Sequence, residues 1–297
     1  VARGPRPRPV EHIMKLESPC LRNGVALLAS ALAVACGGGD EPTRVSNLAL
    51  TNTMFGKTMT VSVAGSGLDD PDLTLETQGV PCSGVARGTA LEYQTSFSCL
   101  VEGTGTIVAV IRNGAGADLG RVEAPVPVPE VMMMVTQGAR SGSFVVELDP
   151  AAAPVTALNF VRYVNRGFYA QTIFHRVLAG QIVQGGQYLT DKSIRAPLFD
   201  PIPLESDNGL KNLRGTIAMA RTSVPDSASA QFYLNLRDNP AFDYVGEALP
   251  GYAVFGRVVS GMEVVDEIGK VPIYTFDNTL PALPQQDVVI TLAVQTK

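Results

Sequence analysis

Few residues of this 297-residue chain have the chemistry of a metal ligand, a nucleophile or a redox centre. It holds two histidines, His12 and His175, and four cysteines, Cys20, Cys36, Cys82 and Cys99, with no Cys-x-x-Cys pair. Zinc needs several nitrogen or sulfur ligands converging on one point, so these positions argue against a metal site. No Gly-rich loop stands between a strand and a helix, which argues against nucleotide chemistry. The formal net charge of −5 argues against nucleic acid as a partner. No cofactor is expected. The chemistry to be explained therefore belongs to side chains that position and polarise, and to cysteines that link.

Cys36 closes the run Ala33-Val-Ala-Cys36, which follows the uncharged apolar stretch Val25–Ala35 and the basic residues Lys15 and Arg22. Eleven apolar residues are too few to span a bilayer as a helix but suit a secretory signal. Small residues before a cysteine, with Gly37-Gly-Gly-Asp40 after it, resemble a bacterial lipobox. Cys36 is accordingly the expected lipidation site, anchoring the mature chain in the bacterial envelope on the periplasmic side; an ordinary signal peptide cleaved nearby is the alternative. Met14 is the expected start, with residues 1–13 an extension and 1–35 lost on processing. Removing five basic and two acidic residues makes the mature chain more acidic. Cys82 and Cys99 are then an even pair in an oxidising compartment, and a disulfide between them is preferred to two buried thiols.

The elements that position these residues are mainly β. Residues 36–47 are rich in Gly, Asp, Glu, Pro and Ser and read as a flexible tether. From 48 to 123, short β-prone runs are split by Gly, Asp and Asn; Thr58-Met-Thr-Val-Ser-Val63 alternates with period two, as a half-buried strand should. A small immunoglobulin-like sandwich is expected there, acting as a spacer or a partner-binding module. Pro125, Pro127 and Pro129 alternate in a segment, 124–130, expected to be an extended, semi-rigid linker. In 131–297, β-prone runs at Val131–Thr136 and Ser143–Leu148 flank a turn. Pro154 then opens a stretch with Val155, Leu158, Val161 and Val164 at helical spacing, and Gly167 closes it. Further strands are expected at 172–177, 182–184, 215–220, 231–236, 253–259 and 288–295, with a short helix at 262–268. Strands without strand-helix alternation argue for an antiparallel barrel or sandwich with helices packed on it.

Within this second half, Asn159-Phe-Val-x-Tyr-Val-x-x-Gly-Phe-Tyr169, Phe174-His-Arg-Val177 and Gln184-Gly-Gly186 occur in order. Asp207-Asn-Gly-Leu, Arg214-Gly-Thr-Ile-Ala-Met-Ala-Arg221, Ser229-Ala-Gln-Phe-Tyr233 and Gly251-Tyr-Ala-Val-Phe-Gly256 follow. The ordered set resembles the cyclophilin-type peptidyl-prolyl cis-trans isomerases, and 207–221 is most similar to the periplasmic cyclophilins of Gram-negative bacteria. The resemblance implies an eight-stranded antiparallel barrel capped by two helices, with proline-containing polypeptides as substrates.

Rotation about an X–Pro bond breaks amide resonance against a barrier of about 18–20 kcal/mol and needs no metal or nucleophile. A catalyst should hold the proline ring in an apolar pocket and stabilise the twisted amide. The resemblance gives Arg176 the second task, as a fixed fork of donors, and leaves His175 a structural role. It gives Gln184 and the backbone of Ala220 contacts with substrate backbone, and Gln231 a place beside the proline pocket. Tyr233 takes the pocket floor in place of the usual Phe, and Tyr252 replaces a common His. Three positions depart from the family: Gln181 stands for a pocket Phe, Ile182 for Met, and Ala241 for a Trp or Phe, with Phe242 beside it. The resemblance thus implies an isomerase that assists folding of exported proteins; a Pro-peptide-binding chaperone with incidental turnover, or an envelope scaffold, are the alternatives.

Overall fold

The computed structural model describes residues 42–297. The signal segment, Cys20 and Cys36 lie outside the described residues.

The first region is built from β1 (Arg44–Thr51), β2 (Thr58–Ser66), β3 (Thr74–Gly79), β4 (Cys82–Arg87), β5 (Gln94–Val101), β6 (Gly105–Arg112) and β7 (Asp118–Val126). Two antiparallel sheets, ordered β1-β2-β5-β4 and β3-β6-β7, make a seven-stranded sandwich. That four-plus-three order is the arrangement of an immunoglobulin constant-type domain. Met59, Val61, Val63, Phe97, Cys99 and Val101 alternate inward from β2 and β5 onto Ile107, Ala109 and Ile111 of β6. Cys82 and Cys99, on neighbouring strands of one sheet, are joined as a disulfide.

Two segments differ from the sequence expectation. Arg44–Asn47, the end of the expected tether, starts a strand, because Val45, with Leu48 after it, packs on the sandwich core. Ala124–Val126, expected as the start of an extended, semi-rigid linker, completes β7, with Val126 paired to Gly105 and buried. Pro125 is accommodated in β7 because that strand is the edge of its sheet, the place where strand prolines are found. Only residues 127–129 separate the two regions as non-strand chain.

The second region comprises β8 (Glu130–Gln137), β9 (Arg140–Leu148), α1 (Pro154–Asn165), β10 (Thr172–Leu178), β11 (Ile182–Leu189), β12 (Thr216–Met219), β13 (Phe232–Asn235), β14 (Val254–Ser260), α2 (Met262–Ile268), the two-residue strands β15 (Ile273–Tyr274) and β16 (Leu283–Pro284), and β17 (Val289–Gln295). Eight strands close into an antiparallel barrel in the order β10-β11-β13-β12-β14-β9-β8-β17. α1 starts with Pro154 in its first turn, where the missing N–H would be unsatisfied anyway. Phe160, Tyr163 and Val164 of this helix seat in the barrel core with Phe174, Phe232 and Phe255. In place of a side-chain cap, the carboxylate of Glu205 accepts the first-turn N–H groups of Val155 and Thr156 at 3.1 and 2.7 Å.

The two regions share core. Phe55, on the β1–β2 loop of the sandwich, is fully buried among barrel residues. The Gln295 amide donates to the Phe55 carbonyl at 2.9 Å, and Lys57 donates to Asn165 Oδ1 at the end of α1 at 2.6 Å. Gly56 has φ +70°, and a Cβ there would lie 2.7 Å from Val161 of α1, so the loop can approach the helix only with glycine.

Candidate active site on the outer wall of the barrel

The expected site residues fall on the outer face of β10, β11, β13, β12 and β14. Arg176 reaches that face through an irregularity. Phe174 pairs with Gly185 and Arg176 with the very next residue of β11, Gln184, so His175 is an extra residue, a β-bulge. In a regular strand, Phe174 and Arg176 would point to the same side. The bulge lets Phe174 and Val177 both enter the core while Arg176 turns outward. The Gly185-Gly186 pair gives room on the facing strand: a Cβ on Gly186, at φ +98°, would lie 2.9 Å from the Phe232 ring.

A strip of polar side chains runs from Arg176. Its Nη1 donates to Gln184 Oε1 at 3.1 Å. Gln184 Nε2 donates to Gln231 Oε1 at 2.9 Å, and Gln231 Nε2 to Gln187 Oε1 at 2.8 Å. Gln187 Nε2 ends the strip on the carbonyl of Arg195 at 3.2 Å. His175 is buried behind the strip with its ring centroid 4.5 Å from that of Tyr188, and its Nδ1 has no hydrogen-bond partner. Burial, aided by the adjacent Arg176 charge against opposing hydrogen bonds from the Ile173 backbone and Gln231, holds the imidazole at about 4. It is therefore neutral at physiological pH, with one ring N–H and no imidazolium charge.

Beside the strip lies an apolar cluster separate from the barrel core. Ile182, Ala218, Tyr233 and Val254 form it, with Leu178, Leu210, Ala220, Phe242 and Tyr252 packed against it. The rings of Tyr233, Phe242 and Tyr252 meet edge to face with centroids 5.4–5.8 Å apart, a favourable geometry for aromatic contact. The Ala220 N–H donates to the Gln231 carbonyl at 3.0 Å, tying cluster to strip. Of the adjacent pair Ala241 and Phe242, on a 3-10 turn at Pro240–Phe242, Phe242 packs into the cluster and Ala241 is exposed. Gln181 is half-buried in the β10–β11 turn, its carbonyl accepting from the Leu236 N–H at 2.9 Å and from Asn239 Nδ2 at 3.1 Å.

Three residues in this arrangement were not among those expected. Gln187 extends the polar strip. Asn212, 1% exposed, accepts the Tyr233 hydroxyl at 2.7 Å and donates to the Phe242 carbonyl at 3.0 Å. Arg221 lies over the Tyr252 ring at 4.8 Å. Arg221 ends the motif Arg214–Arg221, so its place was readable; Gln187 and Asn212 stand beside motifs and gave no signal of their own. Among the described residues, no group of three or more His, Cys, Asp or Glu converges as metal ligands would.

The family model described as "Cyclophilin type peptidyl-prolyl cis-trans isomerase/CLD" matches residues 131–294. The chain is 53% identical over 131 residues to peptidyl-prolyl cis-trans isomerase A of Dickeya dadantii, covering 44% of this chain and 68% of the relative. It is 45% identical over 164 residues to a peptidyl-prolyl cis-trans isomerase of Acinetobacter baylyi, covering 55% of this chain and 85% of the relative. It is 44% identical over 159 residues to peptidyl-prolyl cis-trans isomerase B of Escherichia coli, covering 53% of this chain and 96% of the relative.

Proposed function

Since the chain belongs to the cyclophilin-type peptidyl-prolyl cis-trans isomerases, we propose that its isomerase chemistry is centred on Arg176, with the apolar cluster beside it as the proline pocket. The chain is a peptidyl-prolyl cis-trans isomerase with proline-containing peptides as substrates. In this reading the proline ring lies against Ile182, Tyr233, Phe242 and Tyr252. The Ala220 carbonyl and the Gln184 side chain meet the backbone on either side, and Gln181 and Ala241 stand at the rim. Twisting the amide localises the lone pair on the prolyl nitrogen, and the Arg176 guanidinium donates to it or steadies the carbonyl oxygen as the other half turns. That interaction exists only in the twisted state, so it lowers the barrier without tightening ground-state binding.

The observation that carries this reading is the bulge at His175. It places a guanidinium, held by Gln184, at the edge of the wall's own apolar cluster. The test is exchange NMR on a proline peptide, which reports binding and isomerisation separately. Arg176→Ala should slow exchange by about two to three powers of ten, as for loss of one oriented donor to a transition-state charge, with peptide affinity little changed. Arg176→Lys should recover only part, because an ammonium lacks the planar fork. Unchanged exchange in a folded Arg176→Ala would remove the assignment. The exposed, small Ala241 favours a second reading, in which the wall holds Pro segments as a chaperone and turnover is incidental.

We further propose that the enzyme is exported and lipid-anchored through Cys36, acting on exported polypeptides as they fold. The signal-like run ending in Ala33-Val-Ala-Cys36 supports this, as does the pairing of Cys82 with Cys99, which suits an oxidising compartment. Cys36→Ser should move the protein from the membrane to the soluble fraction. Wild-type protein that is soluble without detergent would contradict the anchor.

A further inference from the structure

We propose that Gln187 is a positioning residue for the isomerisation: through Gln231 and Gln184 it fixes which atom faces the Arg176 guanidinium. The inference rests on the assignment of Arg176 as the catalytic group.

An amide side chain offers an acceptor at one end and donors at the other, and it can turn over. Three amides in series, Gln184, Gln231 and Gln187, therefore have two self-consistent polarities. In one, Gln184 presents Oε1 to Arg176. In the reverse, it presents its NH2 group, donor against donor, and the guanidinium is pushed off its place. A guanidinium can only donate, so it favours the first polarity, but it is half-buried at the open end of the strip and must be free to turn to a substrate.

The other end of the strip supplies a constraint that does not move with substrate. A backbone carbonyl can only accept, so the Arg195 carbonyl obliges Gln187 to present Nε2 to it, at 3.2 Å. Oε1 of Gln187 then faces Gln231 Nε2 at 2.8 Å, Gln231 Oε1 faces Gln184 Nε2 at 2.9 Å, and Gln184 Oε1 faces Arg176 at 3.1 Å. Each link leaves one choice for the next.

Both ends of the constraint are held. Gln187 is buried, 7% exposed. It sits where β11 bulges: Thr172 pairs with Leu189 and Phe174 with Gly185, so three residues of β11 face one of β10. Gly186, at φ +98°, permits that turn and aims Gln187 along the strip. Arg195 is anchored by its guanidinium, whose Nη1 donates to the carbonyls of Phe168 and, at 2.8 Å, Ala170. Its own N–H donates to the Gln187 carbonyl at 2.9 Å, so Gln187 and Arg195 are tied by backbone as well as side chain. When Arg176 turns toward a substrate, the strip still points its acceptor outward, ready for return.

The test compares Gln187→Leu with Gln187→Glu in the full chain by exchange NMR, with thermal melting beside it. Leu offers no acceptor, so Gln231 and Gln184 lose the hydrogen bond that holds their polarity from the buried end of the strip. The exchange rate constant should fall about tenfold, the equivalent of one hydrogen bond, with peptide affinity within about twofold and melting little moved. Glu keeps an acceptor for Gln231 but turns an oxygen toward the Arg195 carbonyl. It should recover most of the lost rate while melting lower than Gln187→Leu. A purely structural Gln187 gives the opposite pattern, with rates following the melting temperature, and that result overturns the inference. Should Gln187→Leu not fold, Gln187→Met serves the same comparison. The outcomes separate the two readings. Slow exchange in Arg176→Ala with a wild-type rate in Gln187→Leu refutes the role of Gln187 alone. Normal exchange in Arg176→Ala refutes the site itself.

Discussion

The four-stranded sheet of the sandwich and the outer wall of the barrel are both antiparallel sheets with one face turned away from a core, and they use that face in opposite ways. On the sandwich, the outward positions of β2 and β5 are Thr60, Ser62, Ser96 and Ser98, all exposed or half-exposed. Water satisfies a hydroxyl, so such a face needs nothing packed on it. On the barrel, the outward positions are Ile182, Ala218, Tyr233 and Val254, all 3% exposed or less. They are covered by Leu210, Phe242 and Tyr252, and bordered by hydrogen-bonded amides and a guanidinium. A sheet face that buries apolar groups outside its own core, with an ordered polar edge, has a second layer to organise. The difference marks the barrel wall as the candidate site and leaves the sandwich face without a comparable feature.

The contrast does not make the two regions independent, and Phe55 is where that is tested most severely. This residue belongs to the sandwich by chain position and to the barrel by packing. Phe55→Ala should cost about 3–5 kcal/mol, the usual range for emptying a buried phenylalanine site. Followed by denaturant in the full chain with a probe on the barrel, the barrel transition itself should shift. A shift confined to the sandwich would mean that the shared core contributes nothing, and that the regions are separate folding units.

The second test uses pH. His175 is the only histidine among the described residues, so its titration marks the barrel alone. Its folded value of about 4 lies below the ordinary 6.5. Between these values the unfolded chain binds a proton that the folded barrel does not, so stability falls as pH drops from about 6.5 to 4. The loss approaches about 3 kcal/mol at the acid end. His175→Asn should remove this part of the slope, whatever its constant cost. An unchanged slope between wild type and variant would show that the imidazole is solvated in the folded state.

The architecture of both regions was legible because it rests on period and punctuation: alternation in 58–63, helical spacing from Pro154 to Gly167, and Pro and Gly at element ends. Most of the candidate site was legible through ordered motifs, which name Arg176, Gln184, Gln231 and Tyr233, and the fold brings these four onto one wall. What the sequence does not display is geometry that breaks its own period. The bulge at His175 reverses which side Arg176 faces, and no alternation count reveals it. The start of strand β1 was hidden because Arg44–Asn47 offers one apolar residue, Val45, directly after a Gly-, Asp- and Pro-rich run, while β4, with Gly84 at φ +64°, has no alternating pattern to find. Asn212 and Gln187 bond partners distant in sequence, Tyr233 and Gln231, so nothing local marks them.

Tyr233 gives the finest test, because it asks how far the covering layer must be ordered. The ring carries the apolar contacts with Phe242 and Tyr252, and Tyr233→Phe keeps them. Only the hydroxyl is lost. Its partner, Asn212 Oδ1, then keeps a single donor, Asn235 Nδ2 at 3.3 Å. The buried acceptor is thus weakly satisfied instead of orphaned, and the stability cost should be about 1 kcal/mol. Asn212 also holds the Phe242 carbonyl at 3.0 Å and, through its N–H, the Asp243 carboxylate at 2.7 Å. Loosening it should let the Phe242 turn shift against the pocket floor. Both ends of that link touch the proposed proline pocket, while Arg176, Gln184 and Gln231 lie outside it. Peptide binding should therefore weaken by a few-fold, less than the tenfold that about 1.4 kcal/mol would give, and the exchange rate constant of bound peptide should stay near wild type. A fall in that rate constant with affinity unchanged would mean that the hydroxyl acts on the twisted amide itself, and that the division between pocket and polar strip is drawn in the wrong place.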